Sequence, residues 1–339
     1  MEPATHALTS LALARAAGKR LPRFGTAMIV VCGISPDLDY ASYFGGAAAF
    51  LRFHRTALHS ILGAAVMACA VAGAFCWLDR KRPRDVSLAP LGFPAALAAC
   101  CAGAALHLAI DLTNISGVQL LWPFSAGWFC WDIAPWFDPW ILAILIAGLL
   151  LPHLFRLINE EIGDRKKAPV GRGAAIVTLL LLAAYLGARA NLHGRAMGLL
   201  LSGEYHGREP FAAGAFPTTL SPWDWRGVVS TDDTIEEVDV PLRQSADFDP
   251  DDSLTHYKPV DSPALEAGQQ TAAARRFLRY ARFPLASVTQ IEDGYRFELR
   301  DLRFPASDTS PENMIVRVDF DSSLRAVRQE IRFASSANP

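Results

Sequence analysis

Long apolar runs fill roughly the first 200 positions of the chain, and short alternating runs fill the remainder. Four of the long runs, at about 57–78, 91–112, 139–155 and 173–193, approach or reach the roughly 20 residues that a helix needs to cross a bilayer. The third is the shortest, so its ends are the hardest to place. Two shorter helical candidates precede them, at about 4–17 and 24–35, joined by Gly18-Lys19-Arg20-Leu21-Pro22-Arg23. Thr5 is placed to cap the first of these, and Gly18 and Pro22 mark a stop and a turn. At 1.5 Å per residue each would be about 18–21 Å long, short of a crossing of roughly 30 Å. The pattern predicts a helical hairpin packed against longer membrane helices.

Beyond about residue 195 the period changes. Val228-Val229, Ile235–Val240, Ser287–Ile291, Tyr295–Leu299, Met314–Phe320 and Ala326–Phe333 are strand candidates, several with period-two alternation, and a helix is expected at about 263–282. The fold class expected is an α-helical multi-pass membrane bundle followed by a small α+β domain with an antiparallel sheet. The boundaries expected are 1–195 for the membrane domain, 196–219 for a linker and 220–336 for the α+β domain. Phe216–Trp225 would fold onto the mouth of the bundle, with Trp223 and Trp225 at the interface or covering a site.

Charge refines the picture without changing it. The 32 basic and 34 acidic residues give a net charge of −2, which suggests no nucleic-acid partner. Five of the six cysteines, Cys32, Cys69, Cys76, Cys100 and Cys101, fall inside apolar segments; with Cys130 they form no CxxC pair, so they are expected to pack as small apolar residues. The basic cluster comes too late, and no cleavage site follows 26–34, so the N-terminus is expected to stay in the mature protein. Lys and Arg gather in three loops: Arg15, Lys19, Arg20 and Arg23; Arg80, Lys81, Arg82 and Arg84; and Arg156, Arg165, Lys166, Lys167 and Arg172. These loops should be cytoplasmic. The 113–138 stretch has no Lys or Arg but holds Trp122, Trp128, Trp131 and Trp136, with Trp140 just beyond, as an interfacial belt on the opposite side would. The α+β domain is expected on that same side, with an inner-membrane location for the whole.

Seven metal-capable side chains lie in the first third of the chain: His6, Asp37, Asp39, His54, His59, His107 and Asp111. His107 and Asp111 are four apart near the end of a helix and share one face. His54 and His59 flank the start of another, with His54 held by a loop and His59 helical. Pro36 disfavours continued helix, so Asp37 and Asp39 should reach the same centre from a loop. An antiparallel hairpin brings His6 beside Asp37, and chain direction then carries the other four to the same end. Singly, a histidine on an apolar helix is usually packed or hydrogen-bonded, and an aspartate after proline is usually a turn former. Seven ionisable groups at one end of a membrane bundle favour a functional site. Imidazole and carboxylate without thiolate suit Zn²⁺ and also admit Mn²⁺ or Fe²⁺, as one ion or as two sharing an aspartate. Such a centre would bind a phosphoryl oxygen and activate water, with Asp37 or Asp39 as base. Arg55 and Arg52 would hold an anionic group, or else position an aspartate or snorkel to headgroups.

The order Thr5-His6, Pro36-Asp37-Leu38-Asp39, His54-Arg55-Thr56-x-x-His59-Ser60, His107-x-x-x-Asp111 and Gly117-Val118…Trp122-Pro123-Phe124 resembles the YdjM-like family of predicted membrane-bound, metal-dependent hydrolases. The resemblance covers about residues 1–155; Phe216-Pro217 and Ser221-Pro222-Trp223-Asp224-Trp225 resemble the longer members. It implies a multi-pass membrane protein with a hydrolytic metal centre. A more distant similarity, at the level of spacing, is to zinc-dependent phospholipase C. Here the N-terminal methionine is expected to lie too far from the site to supply an amine ligand.

Other chemistries fit less well. Cys101 stands six before His107, where lipid phosphate phosphatases need a basic residue; no adjacent His-Asp pair and no serine nucleophile elbow occurs. His153, His193, His206 and His256 are scattered and expected to be structural. Asp247, Asp249, Asp251 and Asp252 lack an EF-hand's glycine and terminal glutamate and are expected to be a solvated loop. The function expected is a metal-dependent hydrolase acting on a phosphoester or lipid-proximal substrate, its partners being the bilayer and a small-molecule or lipid substrate. The alternative is a metal-stabilised membrane anchor whose tail domain binds a partner. Metal transport ranks last, because the helix interiors at 61–75, 92–105 and 174–188 are nearly devoid of polar groups. Ser125→Cys should react with a membrane-impermeant maleimide added from outside the cell; labelling only after the membrane is opened would invert the orientation.

Overall fold

The computed structural model describes residues 1–81, 90–161, 171–243 and 247–334, with the backbone alone for 153 and 155–161. Arg82, Arg84, Arg165, Lys166 and Lys167, counted above toward cytoplasmic loops, lie outside these residues, as do the side chains of His153 and Arg156. The chain divides into two compact units, one of Met1–Asp39 with Arg55–Ala190, the other of Tyr40–His54 with Asn191–Pro339.

The first unit is helical, and its hairpin forms as expected. Helix α1 (Pro3–Ala17) and helix α2 (Gly25–Ile34) pack on each other, reversed through Gly18, whose φ of +57° suits a residue without Cβ. Thr5 is not the cap. Glu2 occupies the N-cap position, Pro3 opens the helix, and the Thr5 hydroxyl donates back to the Glu2 carboxylate. After α2 the chain does not become a loop: Ser35–Gly45 winds on as 3₁₀ helix, far longer than the three or four residues usual for that geometry. The chain enters the second unit at Tyr40, and there a short helix α3 (Ala47–Phe53) follows, which the apolar pattern did not separate from its neighbours.

Helix α4 (Ile61–Lys81), helix α5 (Phe93–Asp111) and helix α7 (Arg172–Ser202) are long and apolar enough to cross a membrane. The third sequence run becomes helix α6 (Pro139–Glu161), with Pro152 inside it; its fully described portion, Pro139–Pro152, is apolar. Small residues set how closely these helices approach. Ala64, Ala68, Ala72 and Cys76 recur every fourth position of α4 and meet Ala96, Ala99, Cys100 and Ala104 of α5 in one buried seam, the packing mode that association in lipid favours. A Cβ on Gly103 would lie 2.2 Å from the Ile29 carbonyl oxygen, so α5 presses backbone-close on α2. At the far end, Asp79 of α4 accepts from Arg23 at 3.0 Å and from the Leu91 amide at 3.0 Å, tying the hairpin turn to α4 and the start of α5. A second seam joins Ala12 and Ile110 to Ile141, Leu145 and Leu149 of α6 and Leu182 of α7. Where α6 begins, Asp138 accepts from the Trp140 and Ile141 amides and from the Tyr185 hydroxyl at 2.9 Å, while Arg189 Nε donates to the Ile133 carbonyl at 2.9 Å.

The second unit holds two four-stranded antiparallel sheets rather than one. Strands β1 (Ala212–Pro217), β2 (Asp224–Ser230), β3 (Thr234–Pro241) and β4 (Ser253–Tyr257) form the first in sequential order; β5 (Pro284–Ile291), β6 (Gly294–Asp301), β7 (Met314–Asp321) and β8 (Ala326–Phe333) form the second. The stretch read as a linker at 196–219 carries the end of α7 and strand β1. Trp225 is buried with Leu200, Tyr205 and Val240 in the core of the first sheet, so it does not face the bilayer interface. The expected helix at 263–282 is two, α8 (Pro263–Gln270) and α9 (Ala272–Leu278), each capped by a side chain, Ser262 and Thr271. Gly103→Ala puts a methyl against backbone that cannot rotate away, and should lower the stability of the first unit by about 1–3 kcal/mol, read as a reduced midpoint of thermal unfolding in detergent.

Candidate metal centre

The seam between α2 and α5 ends in chemistry. Cys100, Ala104, His107 and Asp111 follow one another along the same face of α5, so the stripe that packs the helix carries His107 and Asp111 into the bundle at its terminus. His6 enters from the first turns of α1, and Asp37 from the 3₁₀ stretch after α2. One ligand-capable atom from each of His6, Asp37, His107 and Asp111 lies within 4.8 Å of all the others, the one such group of three or more His, Cys, Asp or Glu among the described residues. The rings of His6 and His107 stack with centroids 3.9 Å apart.

His59 joins them from the side. A helical position is expected for it from the sequence, but it belongs to the irregular 54–60 segment that precedes α4. Its Nε2 lies 3.1 Å from Asp111 Oδ2 and 3.7 Å from Asp37 Oδ1. Its other nitrogen, Nδ1, is 2.8 Å from Asp39 Oδ2. His107 repeats the arrangement: Nδ1 donates to the Gly33 carbonyl at 2.8 Å, and Nε2 lies 3.4 Å from Asp111 Oδ2 and 3.8 Å from Asp37 Oδ1. An imidazole whose Nδ1–H is committed to a carboxylate or carbonyl presents a lone pair at Nε2, which is how metal-binding histidines are oriented. Asp39 therefore stands behind His59 rather than among the four converging groups. It also accepts the Arg55 amide at 3.0 Å, holding the backbone at Arg55 in a left-handed conformation with φ +57°.

Arg55 is buried, and its guanidinium lies 3.3 Å from Asp111 Oδ1, so of the roles foreseen for it the structure shows the positioning of an aspartate. Arg52, on α3, belongs to the second unit. The amino group of Met1, itself buried, also pairs with Asp111, contrary to the expectation that the first residue lies too far away. His54 belongs to the second unit, where its ring stacks on Phe50 at 4.2 Å, meets Tyr40 edge-on, and lies 3.8 Å from Glu312. Of the remaining histidines, His193 meets Trp225, His206 donates its backbone amide to Asp251, and His256 pairs with Glu237 at 2.7 Å, all consistent with structural roles.

The surrounding carboxylates set the charge of the imidazoles and are influenced by them in turn. Burial disfavours the charged form of His59, but Asp39, Asp111 and Asp37 outweigh it and raise its pKa well above the usual imidazole value. Burial would raise the Asp37 carboxyl, yet the hydrogen bond with His59 and the nearness of His6 and His107 bring it below the usual carboxylate range. Several buried atoms have no hydrogen-bond partner among the described residues: both nitrogens of His6, His107 Nε2, Asp37 Oδ2 and Asp111 Oδ2. Orphaned imidazole and carboxylate atoms gathered at one point are costly unless something satisfies them, and the group that satisfies both kinds of lone pair at once is a cation.

The YdjM inner membrane protein family matches residues 1–196. The chain belongs to that family. Its inner-membrane character agrees with the apolar helices α4, α5 and α7, and the YdjM match includes every residue of the cluster. No curated protein and no solved structure matches the chain. If Asp39 orients His59 without binding the ion, Asp39→Ala should weaken metal affinity by about 10–100-fold without abolishing it, as judged by competition with a chromogenic chelator.

Proposed function

We propose that this YdjM-family protein is a membrane-bound hydrolase dependent on a divalent cation, acting on a phosphoester or another substrate held near the lipid. The reading rests on one observation, the convergence of His6, Asp37, His107 and Asp111 within 4.8 Å at the buried end of α5. These four would hold the ion, with His59 alongside. Zn²⁺ suits two imidazoles and two carboxylates, and Mn²⁺ or Fe²⁺ would also be accepted. When bound, such a cation supplies Lewis acidity, polarising a phosphoryl oxygen and making water acidic enough to attack near neutral pH.

The protein's own residues have separable tasks. Asp39 fixes the ring of His59 through Nδ1, and Gly33 fixes that of His107. Arg55 places its positive charge beside Asp111 and offsets part of that carboxylate's charge. Asp37 is the least buried of the four, with a side chain 10% exposed, so it is the member of the set nearest to an incoming substrate. The alternative is a metal-stabilised anchor whose second unit binds a partner. It is favoured by the presence of His59 as a fifth ligand-capable group, because a filled coordination shell leaves no position for water or substrate.

Elemental analysis of protein purified into nanodiscs should find zinc, manganese or iron, and Asp111→Ala should lose it. Retention of wild-type metal by that variant would remove Asp111 from the ligand set. The metal-loaded protein should hydrolyse a member of a panel of phospholipids and water-soluble phosphodiesters; inertness toward the whole panel would leave the anchor reading in place.

A further inference from the structure

The 113–138 stretch is an ordered clasp attached to the metal centre. Trp131 N donates to the Leu112 carbonyl at 2.7 Å and Ile133 N to the Thr113 carbonyl at 3.0 Å, binding its return arm to the end of α5 just past Asp111. Val118 and Phe129 exchange both backbone hydrogen bonds, at 2.9 Å each, closing the stem. The outward arm is fastened to the His59 segment: Gln119 N donates to the Arg55 carbonyl at 2.9 Å and Ile61 N to the Leu120 carbonyl at 3.0 Å. The clasp is thus fastened to the backbone at both ends of the short segment that carries Arg55 and His59.

What the clasp presents outward is apolar. Leu121, Trp122, Phe124, Phe129 and Trp131 are exposed, Phe124 at 87% and Trp131 at 53%, with Trp140 exposed on the first turn of α6. No Lys or Arg occurs anywhere from 113 to 138. A polypeptide tip facing water would gain nothing from a bare phenylalanine and two indoles, whereas tryptophan and phenylalanine at the ends of membrane helices settle into the headgroup layer. The surface is continuous with helices that the bilayer already surrounds, because the clasp begins where α5 ends, is hydrogen-bonded to the start of α4 and runs into α6.

The geometry points to a lipid-immersed lip: the 119–131 clasp sits in the headgroup layer of the leaflet at that end of the bundle, and the centre takes its substrate sideways from that leaflet. The substrate is then an amphiphile whose phosphoester rides at headgroup depth. This rests on the hydrolase reading only for the reaction; immersion of the lip stands independently of it. The clasp has two consequences for such a substrate. It excludes bulk water from the Arg55–His59 side of the centre, and its apolar rim gives acyl chains a surface to follow while the headgroup reaches Asp37.

Immersion is tested without any activity. Phe124→benzoylphenylalanine, in full-length protein reconstituted in vesicles of phosphatidylethanolamine and phosphatidylglycerol, should on irradiation yield a phospholipid adduct by intact mass. The absence of a lipid adduct, with crosslinks only to protein or with the benzophenone left unreacted, overturns the lip. Delivery is tested by Phe124→Ser with Trp131→Ser. Hydrolysis of a long-chain phospholipid embedded in those vesicles should fall at least about tenfold while hydrolysis of soluble bis-p-nitrophenyl phosphate and the bound metal stay at wild-type levels. Equal loss on both substrates overturns lateral delivery, since a merely structural loop would give that result. A lipid adduct together with no hydrolysis of either substrate by metal-loaded wild type overturns the hydrolase reading and leaves the immersed lip intact.

Discussion

Everything at the working end of the first unit depends on how two buried carboxylates are tolerated. Asp37 and Asp111 lie within a few ångströms of each other among three imidazoles, at the end of a bundle whose interior is alanine, cysteine and leucine. A carboxylate moved to low dielectric costs several kcal/mol unless it is paired. Part of the compensation is built in, from Arg55 and the Met1 amine on Asp111 and from His59 on both aspartates. The rest is missing from the chain itself, because lone pairs on His6, His107, Asp37 and Asp111 still converge without donors among the described residues. A gathering of unpartnered imidazole and carboxylate atoms of this kind is what the proposed cation would satisfy.

That arrangement is possible only because helices approach at backbone distance. Gly103 admits the Ile29 carbonyl, and Gly33, whose Cβ would lie 1.9 Å from Ser10 Oγ, admits α1. With α2 drawn this close to α5, the Gly33 carbonyl reaches His107 Nδ1 and fixes which nitrogen faces the aspartates. The small-residue seam and the polar cluster are therefore one design at two depths: the seam sets helix spacing, and the spacing sets which atoms meet.

Much of this was legible in the sequence. The hairpin, the apolar helices and the i, i+4 spacing of His107 and Asp111 follow from periodicity, and topology alone brings His6 to Asp37. What spacing does not encode is order within a shell. Asp37 and Asp39 are two apart after a proline and look alike on paper; only the 3₁₀ winding of Ser35–Gly45 turns one toward the cluster and the other behind His59. His54 and His59 flank one short motif, yet the backbone at Arg55 has positive φ, and the two histidines fall in different compact units. Strands β1 and β4 were missed because Ala212–Pro217 carries small residues and a proline and Ser253–Tyr257 is short and polar, so neither shows a clear alternating pattern.

The irregular backbone is concentrated where the chemistry is. A long 3₁₀ run bears Asp37 and Asp39, a left-handed residue bears the guanidinium on Asp111, and a non-helical stretch bears His59, while the regular helices contribute His6, His107 and Asp111. Non-helical backbone near a bilayer has to satisfy its own amides, and here it does so with the site's own groups: Asp39 takes the Arg55 amide, and the clasp takes the Arg55 carbonyl and the Ile61 amide. Removing a functional carboxylate such as Asp39 would therefore loosen backbone as well as an imidazole. The site's carboxylate and the 113–138 stretch thus hold the same short segment, Asp39 at the Arg55 amide and the clasp at the Arg55 carbonyl and the Ile61 amide.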